Sequence, residues 1–278
     1  MASLGPVDTL DSEPSAVRRP TTPVLAATEW GDGSQPTVVL LHGILGSAEY
    51  WRDVAGRLPD HRVIAIDLLG FGVSPRPARV AYDYADHVGA VVATLEALGP
   101  LGPAILAGHS MGALIALRLA ADRPELVSRL TLIGMPVFES AAAARKAIGR
   151  TRLRRALLYG PVSRLFCAVW CQASKPISRR IAPLYLRRVP AAVARATVDH
   201  SWWSYSRSLA NIIENQSVGA DLQRVTCPTL IVHGDQDQDA SLPADRVPMP
   251  GFRTLVVPGD HHLPLDHPGD IADLLRTA

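Results

Sequence analysis

The chain has 278 residues, of which 47% are hydrophobic and 19% are charged. This composition is typical of a globular protein and excludes a disordered or fibrous one. No apolar run approaches the roughly 18 residues that would span a bilayer, and the first residues lack the pattern of a secretory signal. We therefore expect a cytoplasmic protein with no transmembrane segment. Residues 1–23, rich in proline, acidic and small residues, are predicted to be a flexible tail.

Charge divides the chain into two regions, although the formal net charge is only +2. Residues 140–198 contain thirteen Lys or Arg and no acid, whereas the remainder has fifteen basic residues against twenty-six acidic ones. A basic segment inside an acidic host indicates an insertion with its own surface character. We place a basic helical cap at residues 136–214, and breaks at Gly160-Pro161, Pro176 and Pro190 predict about four helices in it.

The rest of the chain, residues 24–135 and 215–278, alternates between strand-like and helical stretches. Apolar runs predict strands at 37–41, 62–66, 104–107, 130–133, 229–232 and 253–257. Helical patterns lie at 50–58, 82–98, 111–123 and 268–275. Buried strands separated by helices predict an α/β fold with a mostly parallel sheet flanked by helices. Residues 30–33 are interpreted as a hairpin turn, which predicts an antiparallel edge in front of it.

The most informative motif is Gly108-His109-Ser110-Met111-Gly112, which lies between a predicted strand and a predicted helix. A serine hydroxyl is a weak nucleophile, so this placement needs a base nearby and donors for the charge that develops. The flanking glycines fit a strained turn with positive φ, in which positions 108 and 112 come together. The amide of Met111 is placed to donate to an oxyanion.

Polar residues also follow three other predicted strands, at the sheet edge where ligands bind in open parallel sheets. One strand is followed by His42 and a glycine-rich turn, in which the amide of Ile44 could be a second oxyanion donor. The later strands are followed by Gly234-Asp235-Gln236-Asp237 and by Gly259-Asp260-His261-His262. A serine, an acid and a histidine therefore arrive in that order, each at a strand end.

These motifs, together with residues 67–74 and His262-Leu263-Pro264, resemble those of the α/β-hydrolases over nearly the whole of residues 24–278. The resemblance implies an α/β-hydrolase fold with a catalytic triad of Ser110, Asp237 and His262. It also implies an oxyanion hole made by the amides of Ile44 and Met111, with no cofactor and no metal. His261 stays open as an alternative base and Asp235 as an alternative acid. His42 and residues 67–74 are interpreted as supports of the oxyanion loop.

The three cysteines, Cys167, Cys171 and Cys227, have neither the number for a disulfide framework nor the spacing of a zinc site. No histidine cluster accompanies them in the sequence. We interpret Cys167 and Cys171, four residues apart on a helical pattern, as buried small apolar groups.

The predicted function is a cofactor-independent serine hydrolase that cleaves a carboxylic ester, lactone or thioester through an acyl-enzyme on Ser110. Two alternatives use the same residues: a carbon–carbon bond hydrolase or lyase acting on a carboxylate-bearing substrate, and a ligand-binding receptor without turnover. The partner is a small-molecule acyl substrate, and no nucleic-acid reading motif is present.

The basic cap is either a solvated face or a surface that recognises something negative: a carboxylate, a carrier-linked acyl group or an anionic membrane. Arginine dominates it, and the planar guanidinium suits carboxylate or phosphate. The candidate cations are Arg152, Arg154, Arg155, Arg179, Arg180, Arg187 and Arg188.

Overall fold

The structure is organised around one β-sheet. The computed structural model describes residues 22–31, 33–99, 101–238 and 251–277, apart from the side chain of Arg154. Within these ranges seven strands form one sheet in the order β1-β3-β2-β4-β5-β6-β7. Their bounds are β1 (Ala27–Trp30), β2 (Gln35–Leu41), β3 (His61–Ile66), β4 (Ala104–His109), β5 (Val127–Ile133), β6 (Thr229–Gly234) and β7 (Phe252–Val257). Nearly all of the predicted tail, residues 1–23, lies outside the described residues.

All neighbouring strands are parallel except β1, which is antiparallel to β3 with Ala27 opposite Ile66. The predicted antiparallel edge is therefore confirmed, but it is not a hairpin with β2. Both sides of β2 are already occupied, because Val38 lies opposite Val63 on β3 and Ile105 on β4. The chain after β1 consequently skips one place to form β2, and β3 then fills the place between these two strands.

The helices of the core cover the two faces of the sheet. Their bounds are Ala48–Trp51 (3-10), Arg52–Ala55, Tyr84–Ala97, Met111–Asp122, Pro124–Leu126 (3-10), Val218–Leu222, Leu263–Asp266 and Pro268–Thr277. Alternate residues of β2 point to opposite apolar layers, Val39 and Leu41 to one and Val38 and Leu40 to the other. The helix Met111–Asp122 is buried along most of its length in the first layer.

Residues 136–214, all of which are described, contain helices and no strand. Their helical segments are Ala141–Ile148, Arg152–Leu158, Gly160–Phe166, Cys167–Ala173 (π), Lys175–Tyr185, Ala191–Ala196, Trp202–Ser208 and Leu209–Glu214 (π). The segments outnumber the four that were predicted. The proline breaks do begin helices, but Gly149 ends one and Ser201 caps another through a reciprocal hydrogen-bond pair with Ser204. We propose to treat residues 136–214 as the cap over the core.

Candidate active site

Ser110 lies at the tip of a tight turn between β4 and the helix Met111–Asp122. Its φ is 55° and its ψ is −119°, a conformation that L-residues rarely adopt. A Cβ on Gly108 would lie 2.3 Å from the carbonyl oxygen of Gly112, and a Cβ on Gly112 would lie 2.3 Å from that of Leu41. The two glycines are therefore required by the close approach of backbone around the serine, as the sequence pattern predicted.

The Ser110 hydroxyl contacts a histidine that contacts a carboxylate. Ser110 Oγ lies 3.0 Å from His261 Nε2, and His261 Nδ1 lies 2.9 Å from Asp237 Oδ2. Since a carboxylate can only accept, Nδ1 carries the hydrogen and Nε2 is free to accept from the serine. The Asp237 side chain is 1% exposed and that of His261 is 18% exposed. The buried carboxylate is thus placed to fix the tautomer and orientation of the imidazole.

The prediction that His262 contacts Ser110 is wrong, since its neighbour His261 holds that place. The His262 side chain turns to the Tyr50 hydroxyl, with its Nδ1 at 3.3 Å. Its backbone amide donates to Asp260 Oδ1 at 2.8 Å, and His262 occupies the N-cap position of the short helix Leu263–Asp266. The loop after β7 therefore reaches the serine one residue earlier than the family pattern implies, and position 262 directly precedes the next helix.

The alternative acid, Asp235, is occupied in turn chemistry instead. Its Oδ1 accepts from the Gly259 amide at 3.0 Å, which ties the loop after β6 to the loop after β7. A Cβ on Gly234 would lie 2.3 Å from the Gly259 carbonyl oxygen, so the two loops are in close contact. This contact brings Asp237 and His261 together although they are 24 positions apart in the sequence.

His109 and Tyr50 support the site and were not singled out from the sequence. His109 Nε2 donates to the backbone carbonyl of His261 at 2.7 Å, so the residue before the nucleophile holds the loop that carries the base. Tyr50 stacks on the His109 ring, with centroids 4.7 Å apart. Burial lowers the pKa of His109 well below its usual value, so this ring stays neutral. The position of His109 inside the turn motif was the available signal.

The loop after β2 packs directly on the nucleophile turn. A Cβ on Gly43 would lie 3.1 Å from Ser110 Cβ, and the Gly46 amide donates to the Gly43 carbonyl at 3.0 Å. Ile44 lines the cavity beside the serine. Met111 is the first residue of its helix, so its amide has no acceptor within that helix. These two amides remain our proposal for the oxyanion hole.

His42 organises this loop through both ring nitrogens. Nδ1 donates to the Gly43 carbonyl at 2.7 Å, and Nε2 accepts from the Leu68 amide at 2.9 Å. Burial lowers the pKa of His42 below its usual value. The Asp67 carboxylate, in turn, accepts from the amides of Ala48 at 2.6 Å and Val73 at 2.7 Å. Both residues hold the backbone of the loops beside Ser110, and the role of the loop after β2 as an oxyanion loop stays a proposal.

A cavity of about 330 Å³ opens beside Ser110 under the cap. Its size is in the range of small-molecule pockets, and its walls are mostly apolar. The core contributes Ile44 and Tyr50, and the cap contributes Leu158, Val193 and Tyr205. Within the described residues, none of the candidate cap arginines lines it. The cavity therefore suits an apolar acyl group better than a carboxylate held by guanidinium groups.

A second apolar cavity of about 630 Å³ lies further into the cap and shares walls with the first. The shared residues are Leu45, Leu158, Leu186, Thr197 and Tyr205. The two spaces therefore adjoin through a common apolar wall.

One cluster of described residues has the side-chain types of a metal site. The ligand atoms of Cys167, Cys171 and His200 lie within 4.8 Å of one another, so the fold brings a histidine to the cysteines that the sequence shows without one. His200 Nδ1 donates to the Thr197 carbonyl at 3.0 Å, which leaves Nε2 facing Cys167 Sγ at 3.6 Å. An S–H···N hydrogen bond accounts for this contact. Cys167 and Cys171 are buried, as we interpreted them.

Comparison with known proteins agrees with this architecture. A family model described as alpha/beta hydrolase fold matches residues 36–268. The chain belongs to this family. It is 34% identical over 151 residues to a probable lysophospholipase, BODYGUARD 4 of Arabidopsis thaliana, a match that covers 50% of this chain and 36% of the relative. It is 33% identical over 124 residues to the lipase LipV of Mycobacterium tuberculosis, covering 45% and 46% of the two chains.

The matched part thus spans about half or less of the length of these two relatives. Among solved structures, an esterase from Exiguobacterium antarcticum superposes with a TM-score of 0.69 at 23% identity, covering 91% of this chain and 94% of the esterase. That likeness shows the fold. Among the described residues, no helix combines the length and the apolar character that crossing a membrane requires.

Proposed function

We propose that this α/β-hydrolase is a cofactor-independent serine hydrolase that cleaves a carboxylic ester, lactone or thioester with an apolar acyl group. The observation that carries the proposal is the continuous contact from Ser110 through His261 to Asp237 at the wall of an apolar cavity. Hydrogen-bonded nucleophile and base, with the base oriented by a third group, is the arrangement that activates a hydroxyl.

The proposed reaction uses these contacts. Ser110 Oγ attacks the acyl carbon while His261 Nε2 takes its proton, and Asp237 stabilises the imidazolium that forms. The amides of Ile44 and Met111 are placed to receive the negative charge on the carbonyl oxygen. The imidazolium then protonates the leaving alcohol or thiol, and the acyl group stays on Ser110. A water molecule gives its proton to His261 and attacks the acyl carbon, the acid departs, and Ser110 regains its proton.

The carbon–carbon hydrolase or lyase alternative receives no comparable support. It was favoured by a basic cap that could hold substrate carboxylates, but among the described residues no Lys or Arg lines the cavity beside Ser110. The cap cations require another explanation.

The test is hydrolysis of p-nitrophenyl esters of increasing acyl length, together with labelling by a fluorophosphonate. Ser110→Ala should abolish labelling and lower kcat/KM by at least about 10⁴-fold, because the nucleophile is lost. Ser128→Ala is the matched control, since Ser128 is exposed on β5 and far along the strand from the site. Labelling that persists in Ser110→Ala would refute the proposal, and so would saturable ligand binding without turnover.

A further inference from the structure

The outer surface of the cap is unusually apolar. Ten large hydrophobic side chains between positions 153 and 186 are exposed, and only four others are exposed elsewhere in the described chain. The ten are Leu153, Leu157, Val162, Leu165, Phe166, Val169, Ile177, Leu184, Tyr185 and Leu186. A concentration of this kind marks a site of interaction, whereas single exposed apolar residues need no explanation. We call residues 152–188 the cap face.

The helices of the cap face are inverted, in the sense that they bury small residues and expose large apolar ones. Along residues 160–173 the buried positions are Ser163, Cys167 and Cys171, spaced four apart, whereas Leu165 and Val169 point to solvent with the same spacing. The helix Lys175–Tyr185 likewise buries Ser178 and Ala182 and exposes Ile177 and Leu184. A helix of a water-facing cap would show the opposite pattern. The apolar stripes therefore face outward along whole helices, and they are not a few isolated exposed residues.

Positive charge accompanies these stripes. The whole of residues 140–198 has thirteen Lys or Arg and no acid. Lys175 and Arg179 pair with the buried Asp199, and Arg145 pairs with the buried Glu214. Exposed cations such as Arg152, Arg180 and Arg188 have no carboxylate partner among the described residues. The surface thus presents apolar side chains surrounded by uncompensated guanidinium groups.

We propose that the cap face binds the surface of a lipid bilayer that carries negative charge. Amphipathic helices of this composition lie in the interface with their apolar residues about 5–10 Å deep and their cations at the anionic headgroups. Arginine stems extend along the apolar surface while their guanidinium groups stay with the phosphates.

Two other occupants fit less well. A second copy docking cap to cap would place one acid-free cationic surface against another, and like charges would repel. An acidic protein would neutralise the guanidinium groups but would leave ten large apolar side chains against a polar surface. A negatively charged bilayer satisfies both the apolar and the cationic groups.

The cap face also has a connection to the active site. Leu157, Phe166, Tyr185 and Leu186 line the 630 Å³ cavity, which adjoins the cavity of Ser110. An acyl chain drawn from a bilayer would therefore meet apolar walls from the surface toward the nucleophile. This last step depends on the proposed function, whereas binding to the bilayer does not.

The test is flotation of the full chain with vesicles of ether-linked lipids, which an ester hydrolase cannot consume. We expect vesicles of equal parts phosphatidylcholine and phosphatidylglycerol to bind at least about tenfold more protein than phosphatidylcholine alone. Adding salt should weaken the binding without abolishing it, because the apolar contribution persists. Equal binding to both vesicles, or none to either, would overturn the inference.

Charge and apolar contributions can be separated by matched variants. Combined Arg180→Glu and Arg188→Glu should reduce binding to the anionic vesicles about tenfold or more. The same reversal at the exposed core residues Arg79 and Arg253 changes net charge equally and should have little effect. If the core reversals reduce binding as much as the cap reversals, the cap face is not the binding surface.

The apolar contribution is tested with Val162→Ser, Leu165→Ser and Val169→Ser combined, none of which lines a cavity beside the site. Binding should again fall about tenfold, whereas Val24→Ser with Val256→Ser, two exposed core positions, should leave it unchanged. Turnover of a soluble p-nitrophenyl ester checks that each variant is folded and keeps the outcome separate from the proposed function.

Light scattering without lipid, and binding to soluble polyglutamate, test the two other occupants. A dimeric mass that the triple serine variant abolishes, without vesicle binding, would assign the cap face to a second copy. Binding to polyglutamate but not to vesicles would assign it to an acidic protein.

Discussion

In the core, β4 turns Ile105 toward one apolar layer and Leu106 toward the other, and helices cover both. In the cap, the helix Gly160–Phe166 buries Ser163 and leaves Leu165 in solvent. The same residue types thus occupy opposite places in the two regions. The core is stabilised by burying its apolar side chains within the chain. The cap leaves part of its apolar surface exposed, for the bilayer that we propose it binds.

The largest expected effect tests the assignment of the catalytic base to His261 in the loop after β7. His261→Ala should lower kcat/KM by about 10⁴-fold, because the base that accepts the Ser110 proton is lost. His262→Ala should lower it by less than about tenfold, since this ring contacts Tyr50 and not the serine. Ester hydrolysis at limiting and saturating substrate concentrations gives kcat/KM for each of the two variants. A larger loss in His262→Ala than in His261→Ala would reverse the assignment.

The next prediction compares the energetic contribution of an apolar side chain in the two regions directly. Leu106→Ala removes a buried side chain from the core and should reduce the free energy of unfolding by about 2–5 kcal/mol. Leu165→Ala, the same substitution on the exposed cap face, should change it by less than about 0.5 kcal/mol. Urea denaturation of both variants provides the measurement. Similar losses at the two positions would mean that Leu165 is buried in solution.

A smaller effect concerns acid sensitivity where the core meets the cap. His87 is fully buried with Nε2 at 3.0 Å from Ser208 Oγ, and burial lowers the pKa of His87 to about 3. Because this value lies below that of the unfolded chain, the unfolded state binds the proton first, and stability is lost as the pH falls below about 6.5. This residue alone should remove about 2 kcal/mol between pH 7 and pH 5.

The check is urea denaturation of the wild type and of His87→Gln at both pH values. The variant should lose less stability on acidification, and its own value at pH 7 corrects for any cost of the substitution itself. Equal losses in the two proteins would contradict the prediction.

The order of strands and helices in the core could be predicted because each run of apolar residues has the period of its element. The strand predicted at 104–107 is Ala104–His109, and the helix predicted at 111–123 is Met111–Asp122. The family resemblance and the nucleophile turn followed from local signals of the same kind. The partner of β1 could not be predicted, since turn-forming residues before β2 do not determine which strand pairs with β1.

The choice between His261 and His262 could not be made from the sequence, because adjacent residues in a loop differ only in orientation. That orientation is set by the contact of His109 with the His261 carbonyl and by the capping position of His262, both of which depend on the folded arrangement. The inverted helices were similarly hidden, since periodicity shows that two faces exist but does not say which one is buried.

One consequence concerns His42, whose two ring nitrogens are both committed to backbone partners. A ring that gives one hydrogen and receives another has no site left for an added proton. The His42 ring therefore supports the glycine turn structurally and is not a titrating group. Changes in acidity should then leave the shape of the glycine turn beside the serine unchanged.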